Sequence, residues 1–259
     1  MRQRLLAVLV SGFLVMTAGF DPAAAACDAA QSSAYRDTKI WTIPNTRVYF
    51  YATRRMAIDA DGAPNAYHPE DRGIDALANA GFPNRDWKSV LVIDPRDPRK
   101  PFVQTEGEFA GFFISKTTLQ DPRLPVTDAR RYVDSRQVPY IVFPGAFSRT
   151  RGTGTMGDLG MALNLETGKE SPFIVADAGP PDAELGEVSI RLAESLGGSN
   201  VNPRNGSGTP RGRFAYAVFP GSKSNPPWTV SSTDLDARAQ ALLSGVGGWA
   251  RARDCIGTR

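Results

Sequence analysis

The sequence predicts a mainly β, single-domain protein with a few short helices, and three observations predict it. Apolar residues fall in short runs bounded by Gly, Pro, Asp and Asn, the punctuation of strands and turns. Gly and Pro are abundant, 25 and 20 of 259 residues, which requires many turns. Helix signals are few. The length after an export signal suits one domain with a real core, and no long linker, charge block or internal repeat divides it.

In chain order, residues 1–26 read as that signal: Arg2 and Arg4, an apolar run over 5–20, then Ala24-Ala25-Ala26 as the small-residue cleavage site. The mature domain, 27–259, then starts at Cys27 and is expected to be secreted or periplasmic. A first cysteine also opens lipid anchoring, although Ala24 stands where lipoprotein signals carry a large aliphatic residue. The run is short for a bilayer span and no later stretch is apolar enough for one. Strands are expected at 47–52, 89–93, 111–115, 140–143, 160–164, 173–176 and 214–219. A short helix is expected over 189–196, stopped by Gly197-Gly198, and a capped one from 233 to 245, opened by Thr233-Asp234. A weaker helix is expected over 74–80, and NPRNGSGTPRG within 200–212 reads as a loop.

Charge and cysteine usage bound the function. The net charge is +3, and +2 once residues 1–26, with Arg2, Arg4 and Asp21, are gone. Basic residues lie scattered among acidic ones with no aromatic-interleaved basic stripe, which argues against nucleic acid. Cys27 and Cys255 are the only cysteines, one at each end of the mature chain. In an exported protein they are expected to form a disulfide, with a stabilisation of roughly 4 to 5 kcal/mol in the chain-entropy picture.

The densest chemistry lies in 173–196, FIVADAGPPDAELGEVSIRLAESL, where Asp177 and Glu187 flank a Gly/Pro-rich turn between apolar runs. Glycoside hydrolysis uses one carboxyl group to protonate the leaving oxygen and a second to activate water, and a strand-turn-strand unit can hold the two across a groove. The same residues also read as a turn former and a solvated charge. The start of 58–62, IDADG, looks like a calcium loop, but its ninth position is Tyr67 and no flanking helices are evident, so a surface turn and no metal are expected. His68 is the only histidine, which excludes a multi-histidine zinc site. RGTGTMGDLG, 151–160, lacks the Gly-Lys-Ser/Thr ending of a phosphate loop. Trp228 and Trp249 read as packing residues.

IDADGAPNAYHP at 58–69, YVDSRQVPYIVFPG at 132–145, GDLGMALN at 157–164 and ADAGP with GEVSIRLAESLG across 176–197 follow the order seen in chitosanases of glycoside hydrolase family 75, which the chain resembles over most of its mature length. Fungal members carry a longer WGDTNG stretch where this chain has Val175-Ala176 before its Asp. The PYIVFP, GDLG and ADAGP elements also resemble double-psi β-barrel enzymes, including family 45 glucanases and lytic transglycosylases. The resemblance, rather than periodicity, implies a double-psi β-barrel-like domain; periodicity alone gives a small barrel or sandwich.

The resemblance implies an endo-chitosanase that cleaves β-1,4-glucosaminidic bonds with inversion, Glu187 as acid and Asp177 as base, acting on polysaccharide as a monomer without cofactor. Asp59 is the alternative base, by likeness to family 45. Asp59 and Asp61 are implied to face glucosamine ammonium groups. Tyr67 is a sugar-stacking or core residue, His68 a substrate contact or a structural imidazole, and Asp158 a support for the acid or, more simply, a turn cap. Two alternatives are a peptidoglycan-cleaving enzyme of the lytic-transglycosylase type and a non-catalytic wall-binding barrel.

Overall fold

The computed structural model of the chain describes residues 27–84, 86–228 and 232–257. The export signal read at 1–26 lies outside the described residues. The strands are β1 (Ala30–Tyr35), β2 (Thr38–Thr42), β3 (Tyr49–Thr53), β4 (Ala57–Asp59), β5 (Ile93–Asp94), β6 (Asp97–Pro101), β7 (Tyr140–Pro144), β8 (Leu159–Asn164), β9 (Glu170–Gly179), β10 (Glu187–Ser189) and β11 (Phe214–Phe219). The helices are α1 (Gly145–Ser148), α2 (Ile190–Ser195), α3 (Ser232–Gly245) and α4 (Gly248–Ile256).

Nine strands form one mixed sheet in the order β1-β2-β3-β11-β8-β9-β7-β10-β4, and β5 and β6 form a separate ribbon. Pairing is antiparallel except at β7 with β9 and β4 with β10. This corrects the barrel expectation. β1 and β4 are the two edges and do not pair, so the sheet stays open. Its two faces carry two different cores rather than an inside and an outside. The mainly β expectation stands at the level of this sheet, with four helices around it.

β11 shows why these strands read as unbroken apolar runs. Phe214, Tyr216 and Val218 enter one core with Tyr51, Phe143, Phe173 and Leu192. Ala215, Ala217 and Phe219 enter the other with Phe50, Leu159, Met161 and the inner residues of α3 and α4, Leu235, Ala239, Leu243, Ala252 and Ile256. A strand covered on both faces has no reason to alternate. Tyr51 and Tyr216 stack across the β3–β11 pair with ring centroids 4.9 Å apart.

Expected strands at 47–52, 140–143, 160–164, 173–176 and 214–219 correspond to β3, β7, β8, β9 and β11. Those at 89–93 and 111–115 do not form ladders. They meet through the isolated bridge of Leu91 with Ser115 and the Val92 amide to Ile114 carbonyl bond (2.8 Å), while Ile93 enters the short β5 and Phe113 bridges to Val103. The helix expected over 74–80 is a series of turns, because side chains take its backbone donors: Asp75 Oδ1 accepts from the Ala76 amide (2.7 Å) and Asp71 Oδ1 from the Leu77 amide (2.7 Å). The helices at 189–196 and 233–245 are α2 and α3. Ser189 caps α2, its Oγ accepting from the Leu192 amide at 3.1 Å.

Cys27 and Cys255 form a disulfide with Cα atoms 4.6 Å apart, and Arg251 pairs with Asp28 (2.6 Å) beside it. The bridge fits an oxidising compartment. It also occupies the sulfur that a lipid anchor on Cys27 would need. No helix among the described residues is long and apolar enough to cross a membrane.

Candidate functional site

Three adjacent strands bring the two carboxylates of the 173–196 segment together. Val142 of β7 lies opposite Asp177 of β9 on one side and Glu187 of β10 on the other. A register shift in β9 just before Asp177 turns it onto the face it shares with Val142. Two strand spacings put the two Cα atoms about 9 to 10 Å apart. Glycines make room here. A Cβ on Gly179 would sit 3.3 Å from Glu187 Oε2, and Gly186 enters β10 at φ +108°, where a Cβ would meet the Arg55 carbonyl at 2.4 Å.

Asp59 ends β4, paired with Ser189, and Asp61 stands in the turn after it. A carboxylate oxygen from each of Asp59, Asp61 and Asp177 lies within 4.8 Å of the others. The structure therefore assembles four predicted acidic residues, from three strands and a turn, in one place.

Their surroundings differ. Asp177 Oδ1 accepts from the Thr118 amide (2.9 Å), the Thr118 hydroxyl (2.6 Å) and the Ala178 amide (2.7 Å). Burial raises its pKa, while Thr118, the Ala178 amide and the Lys116 charge oppose the rise. Asp59 has both oxygens engaged, Oδ1 by the Asp61 amide (2.8 Å) and Oδ2 by the Tyr140 hydroxyl (2.9 Å). Burial, then the charges of Asp177 and Glu187, push Asp59 well above the usual carboxylate range. Asp61 goes the same way through burial and the neighbouring Asp59 and Asp177, and its Oδ1 is a buried acceptor with no partner. Glu187 is raised by burial and by the Asp177 charge, with Arg55 working against it. No hydrogen bond from a described residue holds the Glu187 carboxylate.

Two capacities follow. The close approach of Asp59, Asp61 and Asp177, with the Glu187 charge acting on Asp59, disfavours full ionisation, so the cluster is biased toward retaining protons. Asp59, Asp61 and Asp177 also offer three hard oxygen ligands of the kind that hold a divalent cation.

Of the other predicted site residues, Tyr67 reaches the cluster at Asp61, while His68 and Asp158 serve local contacts and turns. Tyr67 is 3% exposed and packs in the core, its hydroxyl donating to Asp75 Oδ2 (3.2 Å) on the side of Asp61. His68 is 4% exposed, with its ring edge-on to Phe112 and the Arg72 guanidinium against its nitrogens. Asp158 ties a turn together, accepting from the amides of Thr155 (2.7 Å), Gly221 (3.0 Å) and Lys223 (3.1 Å). Sequence reasoning missed Thr118, Lys116 and Tyr140. The first two lie in a loop without a motif, and Tyr140 read only as part of a strand. A cavity of about 1040 Å³ lies beside the cluster but is lined by other residues, among them Gly62 and Leu119. Chemistry and open volume therefore do not coincide.

No protein-family model matches the chain, and no curated protein matches it.

Proposed function

We propose that the protein is a secreted glycoside hydrolase that cleaves β-1,4-glucosaminidic bonds of chitosan with inversion, Glu187 acting as acid and Asp177 as base. The observation that carries this reading is the opposition of two unlike carboxyl groups across Val142. Glu187 has no hydrogen-bond donor among the described residues, and burial and the Asp177 charge outweigh Arg55 in shifting it toward the protonated form. It delivers that proton to the glycosidic oxygen as the bond to the anomeric carbon breaks. Asp177 has three donors stabilising its anion through Oδ1, which leaves Oδ2 to take a proton from the attacking water on the other face of the sugar. The turnover ends with Glu187 ionised and Asp177 protonated, and exchange with solvent resets both.

Inverting pairs hold their carboxyl groups roughly 6.5 to 9.5 Å apart to admit a water, and one intervening strand between Asp177 and Glu187 leaves room for such a gap. Asp59 is the poorer base, because burial and two like charges push its pKa well above the usual carboxylate range. Its role is to share protons with Asp61 and present acidic groups to an amine-bearing substrate. The order of the sequence blocks shared with family 75 supplies the choice of chitosan.

Reducing-end release from deacetylated chitosan, chitin and purified peptidoglycan tests the reading, with Glu187→Gln and Asp177→Asn run alongside. Cleavage of chitosan, lost in both variants, is expected. Anhydro-ended fragments from peptidoglycan alone would replace it with a lytic-transglycosylase reading. Chelator treatment is expected to leave activity intact; a loss restored by calcium would reassign Asp59, Asp61 and Asp177 to cation binding.

A further inference from the structure

The cavity beside the carboxylate cluster carries an inference of its own. It measures about 1040 Å³, the upper end of small-ligand sites, and so has room for several sugar rings. Gly62 and Leu119 are among the residues that line it. Those residues directly follow Asp61 and Thr118, so the two loops that hold the cluster also border the cavity.

Its lining combines two features. Phe102, Phe109 and Tyr132 supply aromatic surface. Among the described lining residues the charged side chains are Glu106, Glu108, Asp128 and Asp134 against Arg130. Arg130 is already committed to Asp128 at 2.6 Å. Glu106 and Glu108 are exposed on the loop that turns at Gly107, φ +81°, and no described cation pairs with them. Asp134, shifted up by burial, accepts from the Arg136 amide (2.9 Å) and the Gln137 side chain (3.0 Å). A net negative cavity in a chain of net charge +3 is a local property, and its complement is a cation. The aromatic surface adds a preference for flat, partly apolar faces, which pyranose rings present and which also attract ammonium groups.

We propose that this cavity is a separate binding site for a short cationic oligosaccharide, an amino-sugar oligomer with free amines, which anchors polymer next to the carboxylate cluster. The choice of amino sugar rests on the chitosanase reading above. The cavity's preference for a cation with ring faces rests on its own lining.

The test is calorimetric titration of the disulfide-bonded Glu187→Gln protein with glucosamine hexamer, N-acetylglucosamine hexamer and spermine. Each is repeated after adding Glu106→Gln with Glu108→Gln, and separately Phe109→Ala. Both glutamates are exposed, so the charge variants are expected to keep the thermal transition of their parent. The expected result is glucosamine-hexamer binding that is weakened about fivefold or more by the charge pair and again by Phe109→Ala, with weaker binding of the acetylated hexamer. Unchanged hexamer affinity in both variants overturns the proposal. So does spermine binding as tightly as the hexamer and indifferent to Phe109, which would make the cavity a polyamine site. If the wild-type protein cleaves no chitosan yet the hexamer binds through these residues, the hydrolase reading falls and this one stands. Cleavage with variants that bind like their parent gives the reverse.

Discussion

Thr118 donates twice to one oxygen of Asp177, through its amide at 2.9 Å and its hydroxyl at 2.6 Å. The second oxygen of that carboxylate is thereby left for chemistry, and the donors offset part of the rise in pKa that burial imposes. Thr118→Val removes the hydroxyl and keeps the amide. Asp177 should then become harder to ionise, so the acidic limb of the kcat/KM profile for chitosan should move to higher pH while the alkaline limb stays. A pH-rate profile that falls in height without moving its acidic limb would show that Asp177 is not the base.

Glu187→Gln keeps the shape of the side chain and removes the proton. Loss of a positioned general acid costs about 10²- to 10⁴-fold in rate, and chitosan cleavage should fall by that much. Folding should not suffer. A circular dichroism melt at least as high as that of the wild type, combined with the rate loss, separates chemistry from stability.

Asp59, Asp61, Asp177 and Glu187 are all held above their ordinary pKa. The folded state therefore binds more protons than the unfolded state in the window between the usual carboxyl range near pH 4 and the raised values. Their contribution to stability is greatest below that window and is lost as the pH rises through it. Asp59→Asn should accordingly stabilise the fold at pH 7.5, on the order of 1 kcal/mol, with a smaller difference at pH 4.5. Urea unfolding at the two pH values measures this; an equal effect at both would place the strain elsewhere.

Ser189 joins three elements. Its Oγ accepts from the amides of Tyr140 (3.0 Å) and Leu192 (3.1 Å) and donates to the Val138 carbonyl (2.9 Å). Ser189→Ala leaves these groups without a partner in a fully buried setting and should cost about 2 to 3 kcal/mol in a denaturant titration. It should also reduce activity, since Ser189 sits two residues from Glu187 on β10.

The disulfide closes a span of 228 residues, for which chain entropy gives a stabilisation of about 5 kcal/mol at most. Cys27→Ser with Cys255→Ser should lower the melting temperature markedly, and a reductant should do the same to the wild type but not to the variant.

Much of the fold was legible where burial on both sheet faces produced continuous apolar runs, as in β7, β8, β9 and β11. The hairpin of β1 and β2 was not, because AQSSAY and TKIWT belong to an edge of the sheet and carry little apolar signal. Barrel closure was inferred from resemblance, whereas the placing of β1 and β4 at opposite edges of an open sheet is settled by long-range geometry that no local run encodes. At the site, Asp59, Asp61, Asp177 and Glu187 were legible as types near turns. Their convergence depends on a parallel pairing of β4 with β10 and a bulge in β9, which spacing does not reveal. Tyr67 read as the sugar-stacking candidate with core packing as the alternative, and at 3% exposure it is core.

The meeting of Cys27 with Cys255 makes the domain a ring in the topological sense, since the chain leaves from the place where it enters. Its ends could be joined by a short peptide and new ends opened at the exposed turn between Gly206 and Gly208, giving a circular permutant with the same sheet. A carrier attached beside Cys27 or beside Cys255 would likewise grip the domain at one and the same point.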